Sequence, residues 1–381
     1  MKKEDIIKYF LDAGFLVSPG ALNFLANKDD VKTIINKIKE TRSEKVVLGL
    51  EDVRVYEEEK KEKERKENII IIKNLRSKPD EIKTEDFLHF YQDKYKKMQK
   101  IIQDRINANF VSINKLGGVR KEVSLIGIIK DKKRKDEKTI LELEDMTGTV
   151  PVIFNSGLVN IEELELDDVI AVRGISATKV IYGKEVMYPD IPLRSATRGT
   201  GKGCFISDLH LDEAPTSDLK RFFDWFSQSD IKYLFIAGDI TDMKMLENFV
   251  DDFNGRKTIF LIPGNMDDKE YPALPLKTEK KNIISLSNPS MVELNGIKIL
   301  LIHDFDINML KKRYLGKSRD ILEEDYLVLD VVPDIVHCGH THEPIVKNYK
   351  SVTIVNSGSP LSEFKPVVID FSTRAVEQVK L

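Results

Sequence analysis

Cysteine is scarce in this chain of 381 residues, which contains only Cys204 and Cys338. Two cysteines so far apart exclude a disulfide framework and a zinc knuckle, so we expect both to be small buried residues on strands. The chain also lacks any apolar run near the roughly 20 residues that cross a membrane. Because its first residues lead into an amphipathic segment rather than a signal peptide, we expect a cytoplasmic protein without membrane contact.

Net charge of one sign is also lacking. With 60 basic and 63 acidic residues, the formal net charge is −3. A nearly neutral chain is not drawn to nucleic acid by its overall charge, so any such contact must come from local patches or a partner. The length and the hydrophobic content of 41% permit two or three domains with ordinary cores.

The N-terminal part of the chain predicts a small helical domain over residues 1–45. Apolar residues recur there at helical spacing in two segments separated by Ser18-Pro19-Gly20. We expect a third helix to begin near Asp29, and both core packing and partner docking are open for this unit. Residues 46–83 predict a charged linker, because positions 57–67 are all Glu, Lys or Arg.

Residues 84–195 predict a helix followed by a β-barrel. The helix is expected from Thr84 to Arg105, and short alternating strands follow from Glu122 to Pro192. This pattern is similar to an OB-fold, a five-stranded barrel that often binds single-stranded nucleic acid. The basic loop from Lys130 to Lys138 is where such a barrel commonly contacts a strand. A purely structural barrel is an equally good interpretation, because the strands show few aromatics for base stacking.

The region from 200 to 381 predicts an α/β domain, with sheet layers covered by helices, after a linker rich in Gly, Ser, Thr and Arg. Five short motifs follow apolar runs in this region, and they hold four of the six histidines. The motifs are Asp208-Leu209-His210, Gly238-Asp239, Gly264-Asn265-Met266-Asp267, Ile302-His303-Asp304 and Gly339-His340-Thr341-His342.

The motifs supply the residue types of a two-metal site assembled at strand ends. Two divalent ions about 3.5–4 Å apart need one carboxylate that bridges them, and such a pair clamps a phosphate and lowers the pKa of a bound water to about 7. We assign the bridge to Asp239. Imidazole-rich coordination favours manganese, iron or zinc over calcium. The seven predicted metal ligands are Asp208, His210, Asp239, Asn265, His303, His340 and His342; Asp239, Asn265 and His303 are also the predicted catalytic residues.

The two remaining histidines are not expected to be ligands. His337 would face away from His340 if the strand alternation persists, so we interpret it as structural. His89 lies within the predicted helix before the barrel.

The five motifs resemble those of the calcineurin-like metallophosphoesterases. The order of helical unit, OB-fold and phosphoesterase sandwich narrows the resemblance to the small-subunit family of archaeal family D DNA polymerases, related to the B subunits of eukaryotic replicative polymerases. Three further segments support it, and the match covers roughly residues 84 to 381. They are Asn288-Pro289-Ser290-Met291-Val292, Val331-Val332-Pro333-Asp334-Ile335-Val336-His337 and Val355-Asn356-Ser357-Gly358-Ser359.

The resemblance implies a metal-dependent 3′→5′ exonuclease that proofreads for a separate large catalytic subunit in a heterodimer. It implies two divalent ions, with manganese favoured, and the same seven ligands by position. It also implies contact with single-stranded or primer–template DNA, and with a sliding clamp through the complex.

Two departures from the family pattern bear on activity. Met266 stands where the family has a histidine near the scissile phosphate, and loss of a general acid costs typically about 10²–10⁴ in rate. Asp304 replaces the glycine of the family's His-Gly turn, so that Asp304 or Asp306 could alter the charge at the second metal. Two other interpretations therefore stay open: a structural scaffold subunit with reduced hydrolysis, and a free-standing phosphodiesterase.

Overall fold

The computed structural model describes residues 3–12, 14–26, 47–50, 68–79, 81–155, 161, 163–253, 257–318 and 320–380. The chain divides into two compact units, residues 1–68 and 69–381. Among the described residues, no helix is both long enough and apolar enough to span a membrane.

The described residues of the first unit form two helices and a short pair of parallel strands. Acidic residues in the first turn of α1 favour its N-terminus through the helix dipole. Ile6 and Phe10, four residues apart on one face of α1, are buried against Ala21 and Leu25 of α2. The third predicted helix, near Asp29, lies outside the described residues. The elements are α1 (Lys3–Asp12), β1 (Leu16–Val17), α2 (Pro19–Ala26) and β2 (Val47–Leu48).

A closed five-stranded barrel confirms the predicted β domain of the second unit. Its strands pair in the order β4-β5-β6-β8-β7, and β7 closes the barrel by pairing with β4. Alternating side chains such as Leu141, Leu143 and Phe154 fill the interior. The strands are β4 (Lys121–Lys135), β5 (Lys138–Asp145), β6 (Gly148–Asn155), β7 (Val169–Ala177) and β8 (Val180–Met187).

The predicted helix before the barrel is α3 (Thr84–Arg105). The Asp86 carboxylate accepts the Lys83 N–H at 2.7 Å, which satisfies one free donor at the start of this helix. The face of α3 that carries Tyr95 packs on the barrel, where the Tyr95 hydroxyl donates to the Ile126 carbonyl at 3.1 Å. His89 lies on the exposed side of α3.

Two six-stranded sheets form the predicted α/β part of the unit, and three helices lie among its described residues. One sheet has the order β12-β11-β10-β9-β18-β19 and the other β16-β17-β15-β14-β13-β3. The first sheet contains β9 (Lys202–Ile206), β10 (Tyr233–Ala237), β11 (Thr258–Ile262), β12 (Ile283–Ser285), β18 (Val367–Asp370) and β19 (Val376–Gln378). The second contains β3 (Ile69–Lys73), β13 (Ser290–Leu294), β14 (Ile297–Leu301), β15 (Ile335–Cys338), β16 (Pro344–Tyr349) and β17 (Val352–Ser357). The helices are α4 (Thr216–Gln228), α5 (Met243–Val250) and α6 (Ile307–Lys312).

The core between the sheets contains a stack of phenylalanines on three neighbouring parallel strands. Phe235 pairs in register with Phe205 on one side and Phe260 on the other. Its ring lies 4.8 Å from the Phe205 ring and 4.9 Å from the Phe260 ring, both nearly parallel. The stack aligns the strands whose carboxyl ends carry three of the motifs.

The segment Ile69–Lys73 corrects the predicted extent of the linker. Residues 69–73 were assigned to the charged linker 46–83, but they form the edge strand β3, antiparallel to β13. Four consecutive isoleucines explain this, because β-branched residues favour a strand, and here they form an edge strand on which Ile70 and Ile71 stay exposed. Lys73 fixes the end of the strand by donating to the carbonyls of Tyr326 at 2.7 Å and Val328 at 3.0 Å.

Replacing Phe235 by alanine should lower the free energy of unfolding of the second unit by about 3–5 kcal/mol, because it leaves a cavity between two stacked rings. Chemical denaturation followed by near-UV circular dichroism measures the loss. Phe87→Ala is the matched control, since the Phe87 side chain is 46% exposed and should change stability little. Equal effects of the two substitutions would contradict the assigned core.

Candidate metal centre

All seven predicted ligands lie just beyond the carboxyl ends of strands. The strands β9, β10 and β11 are mutually parallel, as are β14 and β15, so their carboxyl ends share an edge in each sheet. Asp208 and His210 follow β9, Asp239 follows β10, Asn265 follows β11, His303 follows β14, and His340 and His342 follow β15.

Four of the seven side chains form one compact cluster. Asp208, His210, Asp239 and His342 each offer a ligand atom within 4.8 Å of the others. The Nε2 atoms of His210 and His342 are 3.1 Å apart. Two imidazole nitrogens and two carboxylates at this spacing form a donor set suited to one divalent transition-metal ion.

The other three side chains form a second cluster beside the first. The Asn265 Oδ1 atom lies 3.0 Å from His303 Nε2 and 2.9 Å from His340 Nδ1. Asp239 lies between the clusters, because its Oδ2 is 3.3 Å from His303 Nε2 and 3.9 Å from His210 Nε2. This position is suited to a bridging carboxylate, the role that we predicted for Asp239.

A buried polar atom without a partner supports the fit of a cation. The Asp208 side chain is completely buried, its Oδ1 accepts the His340 N–H at 2.8 Å, and its Oδ2 has no hydrogen-bond partner among the described residues. Burial of an unpaired carboxylate oxygen is costly unless a positive charge faces it. The residues present therefore fit a pair of divalent cations.

Burial and neighbouring charge act differently on the two carboxylates. Burial raises the pKa of Asp208 above its usual value, although His303 acts in the opposite direction. Burial would also raise the pKa of Asp239, but the hydrogen bond and charge of His303 outweigh it, and this pKa is lowered. Burial would lower the pKa of His303, yet Asp239 and Asp208 raise it. The electrostatics of the site thus favour positive charge beside both carboxylates.

Five of the seven residues have a left-handed backbone, which non-glycine residues rarely adopt. The φ angles are 53° for Asp208, 43° for His210, 50° for Asp239, 70° for His340 and 57° for His342. Such conformations cost about 1–3 kcal/mol each and persist where the surrounding structure holds them. The concentration of strained backbone at one edge is characteristic of a functional site, and nothing in the sequence signalled it.

The structure also shows where the remaining candidates lie. His337 packs edge-on against Phe205 in the layer between the sheets, with ring centroids 5.1 Å apart, and burial lowers its pKa to about 3. Cys204 and Cys338 are free and buried, as expected. Asp304 is exposed, whereas Asp306 accepts the Asn308 N–H at 2.7 Å and caps α6, so its carboxylate has a structural role.

Several residues that hold the ligand loops had no predicted role. Asn288 Oδ1 accepts the His303 N–H at 3.2 Å, and the Ser359 hydroxyl donates to the Asp208 carbonyl at 2.8 Å. The buried Asn356 side chain donates to the Gly339 carbonyl at 2.9 Å and lies 3.1 Å from the Thr341 hydroxyl. Their signal in the sequence was membership in the Asn-Pro and Asn-Ser segments, whose function the residues alone did not reveal.

Met266 keeps a backbone role in the site although its side chain has changed chemistry. Its N–H donates to Asp239 Oδ1 at 2.8 Å, and its side chain is 61% exposed. A thioether has no proton to give and no positive charge. The turn is therefore suited to holding Asp239, but position 266 supplies no general acid.

Comparison with known proteins agrees with this geometry. Residues 202–373 match the calcineurin-like phosphoesterase superfamily domain. The chain is 28% identical to the DNA polymerase II small subunit of Archaeoglobus fulgidus, over 79% of this chain and 76% of the relative. It is 27% identical to the small subunit of Methanothermobacter thermautotrophicus, over 72% of each. With that of Thermoplasma acidophilum it shares 25% identity, over 94% of this chain and 86% of the relative.

The chain is therefore similar to archaeal DNA polymerase II small subunits over most of its length, and its C-terminal part to the calcineurin-like phosphoesterases. This confirms the resemblance drawn from the motifs. The matched residues contain the strands that carry the motifs, and the Asp and His cluster at their ends is suited to binding a divalent metal.

Replacing Asp208 by asparagine should weaken binding of Mn²⁺ at least tenfold, because an amide lacks the negative charge and the free oxygen that this position offers a cation. Isothermal titration calorimetry of the full chain, purified in chelator and returned to buffer, measures the change. Asp224→Asn, on the exposed side of α4, is the control and should bind Mn²⁺ like the parent. Unchanged affinity in Asp208→Asn would remove this residue from the ligand set.

Proposed function

We propose that this chain is the 3′→5′ exonuclease subunit of a replicative DNA polymerase and hydrolyses the terminal phosphodiester of DNA with two divalent metal ions. The observation that carries the proposal is the position of Asp239 between two clusters of ligand-type side chains. Similarity to DNA polymerase II small subunits supports DNA as the substrate. Imidazole-rich coordination supports manganese, with iron or zinc as the other candidates.

The positions of the side chains assign each of them to one of the two proposed cations. Asp208, His210 and His342 would hold one cation, and Asn265, His303 and His340 the other, with Asp239 shared. When bound, the pair would supply a polarised water at neutral pH and a clamp for the phosphate. We assign the catalytic roles to Asp239, Asn265 and His303, whose atoms lie where the two clusters meet.

A backbone contact determines which nitrogen of His303 is available. Its Nδ1 lies 2.7 Å from the Ala237 carbonyl oxygen, which can only accept a hydrogen bond, so Nδ1 carries the proton. In the neutral ring Nε2 is then unprotonated and faces Asp239 and Asn265. Such outer contacts orient a metal-ligating histidine and increase its basicity.

The proposed partners follow from the family. We propose that the large catalytic subunit of the polymerase binds this chain in a heterodimer. We also propose that single-stranded or primer–template DNA reaches the site within that complex, and that a sliding clamp contacts the complex rather than this chain alone. The cytoplasm is the proposed compartment.

A scaffold role is the second candidate, because Met266 occupies the position of the family's histidine. In this alternative the domain keeps its fold and its metal ions but hydrolyses DNA slowly or not at all. The exposed side chain at position 266 is the observation that favours it.

The exonuclease proposal predicts that the full chain, alone and with its large subunit, shortens 3′-terminal single-stranded DNA labelled at its 5′ end in Mn²⁺. Asp239→Ala should reduce the rate to the background without protein, because the shared carboxylate is removed. Gel analysis of the products measures both rates. No shortening in either form, with Asp239→Ala identical to the parent, would leave the scaffold role.

Restoring the histidine at position 266 separates the two candidates further. If a general acid is the missing group, Met266→His should raise the exonuclease rate at least about tenfold, within the usual contribution of a general acid. Met266→Gln is the control, since it changes polarity without supplying a transferable proton. Equal rates in parent and Met266→His would show that another group performs this role.

A further inference from the structure

We propose that Asp267 is a positioning residue that sets the separation of Asp239 and Asn265. The inference rests on the proposed metal-dependent function and deepens it. Asp267 directly follows the altered Met266, and no catalytic or ligand role was assigned to it from the sequence. Its carboxylate joins the loop after β10 to the loop after β11.

The hydrogen bonds of Asp267 go to both loops at once. Its Oδ2 accepts the Gly264 N–H at 2.8 Å, within its own loop. Its Oδ1 accepts the Thr241 N–H at 2.7 Å, in the neighbouring loop. The Ile240 N–H lies between the two oxygens, 3.0 Å from Oδ1 and 3.1 Å from Oδ2. One carboxylate therefore satisfies three backbone donors from the segments that carry Asp239 and Asn265.

The two loops meet through glycines, which leave no side chains to interlock. A Cβ atom added at Gly264 would lie 2.1 Å from Asp239 Oδ1, and one added at Gly238 would lie 2.7 Å from the Gly264 Cα. Gly238 also has a φ of +82°, which a side chain would strain. The ends of β10 and β11 pair in register, and beyond them hydrogen bonds join the loops: Asp267 accepts the N–H groups of Ile240 and Thr241, and Asp239 accepts that of Met266.

A shift of either loop would change the geometry that both clusters share. The Met266 N–H occupies Asp239 Oδ1, which leaves Asp239 Oδ2 to face His303. Asn265 Oδ1 contacts His303 as well. The contacts of His303 with Asp239 and Asn265 therefore depend on the separation of the two loops. Asp267 acts on this separation through backbone positions rather than by touching substrate or metal.

Asparagine at position 267 tests this role with almost no change of shape. An amide has one acceptor oxygen, so it can serve the Gly264 side or the Thr241 side but not both, and its NH₂ opposes the remaining N–H group. Asp242→Asn is the matched control two residues from Ile240. Asp242 caps α5 through one oxygen, which accepts the Met245 N–H at 2.9 Å, and asparagine caps equally well.

The experiment is calorimetric titration of the full chain with Mn²⁺, which needs no exonuclease activity. Asp267→Asn should weaken Mn²⁺ binding about 10–100-fold, the usual effect of removing a contact that orients a ligand. Asp242→Asn should bind like the parent. Loss of a nearby negative charge would also weaken the binding of a cation. To separate this charge effect from positioning, Asn265→Ala and the double variant Asp267→Asn/Asn265→Ala complete a double-mutant cycle. Positioning predicts that Asp267→Asn adds less than about threefold once Asn265 is absent.

Two titration results would overturn the proposal: Mn²⁺ binding by Asp267→Asn equal to that of the parent, or fully additive effects in the cycle, which would indicate a charge effect alone. Amide hydrogen exchange of the parent decides the matter if the variant does not fold or if the parent binds no Mn²⁺. The amides of Gly264, Ile240 and Thr241 should then be protected, and exchange at unprotected rates would reject the role. An inactive nuclease with weaker Mn²⁺ binding in Asp267→Asn would contradict the proposed function but not this inference.

Discussion

Two carboxylates buried at one edge of the strands are the constraint on which the site depends. Asp208 is 0% exposed and Asp239 is 3% exposed. Anionic groups in such surroundings lose solvation, and positive charge or hydrogen bonds must compensate for this loss. The compensation is incomplete here, because Asp208 Oδ2 has no protein partner among the described residues. Imidazoles lie on both sides of these carboxylates, in a pocket where divalent cations would supply the missing charge.

The rest of the second unit holds this arrangement in place. Parallel strands and the stack around Phe235 bring three motif loops to the same edge, and left-handed backbone turns five ligand residues toward it. The barrel is attached near the same loops, because α6, which starts shortly after His303, forms an ion pair with it. Lys312 Nζ lies 3.0 Å from the half-buried carboxylate of Asp168, which directly precedes barrel strand β7. The barrel and the ligand loops therefore belong to one packed structure.

Much of this could be predicted from the sequence because the motifs are short and follow apolar runs. Asp239 closely follows the apolar run Leu234–Ala237, which is enough to predict that it lies at a strand end. The alternation of apolar and polar residues from Glu122 to Pro192 is sufficient to predict a barrel. The strand at Ile69–Lys73 was missed, because pairing with β13 is a long-range contact that a neighbouring charged run conceals. The role of Asp267 was also hidden, since its partners are backbone N–H groups, which leave no mark in the side-chain pattern.

The backbone and the side chain of Met266 have different consequences for the proposed site. The Met266 N–H donates to Asp239 Oδ1, and this contact does not require the histidine side chain expected from the family resemblance.

Anomalous scattering from a crystal grown with Mn²⁺ tests the central claim most directly. The account predicts two peaks about 3.5–4 Å apart, with Asp239 between them. His210 and His342 should flank one peak, and Asn265 and His303 the other. A crystal soaked in excess Mn²⁺ without a peak beside Asp239, or with its peaks elsewhere on the surface, would contradict the account.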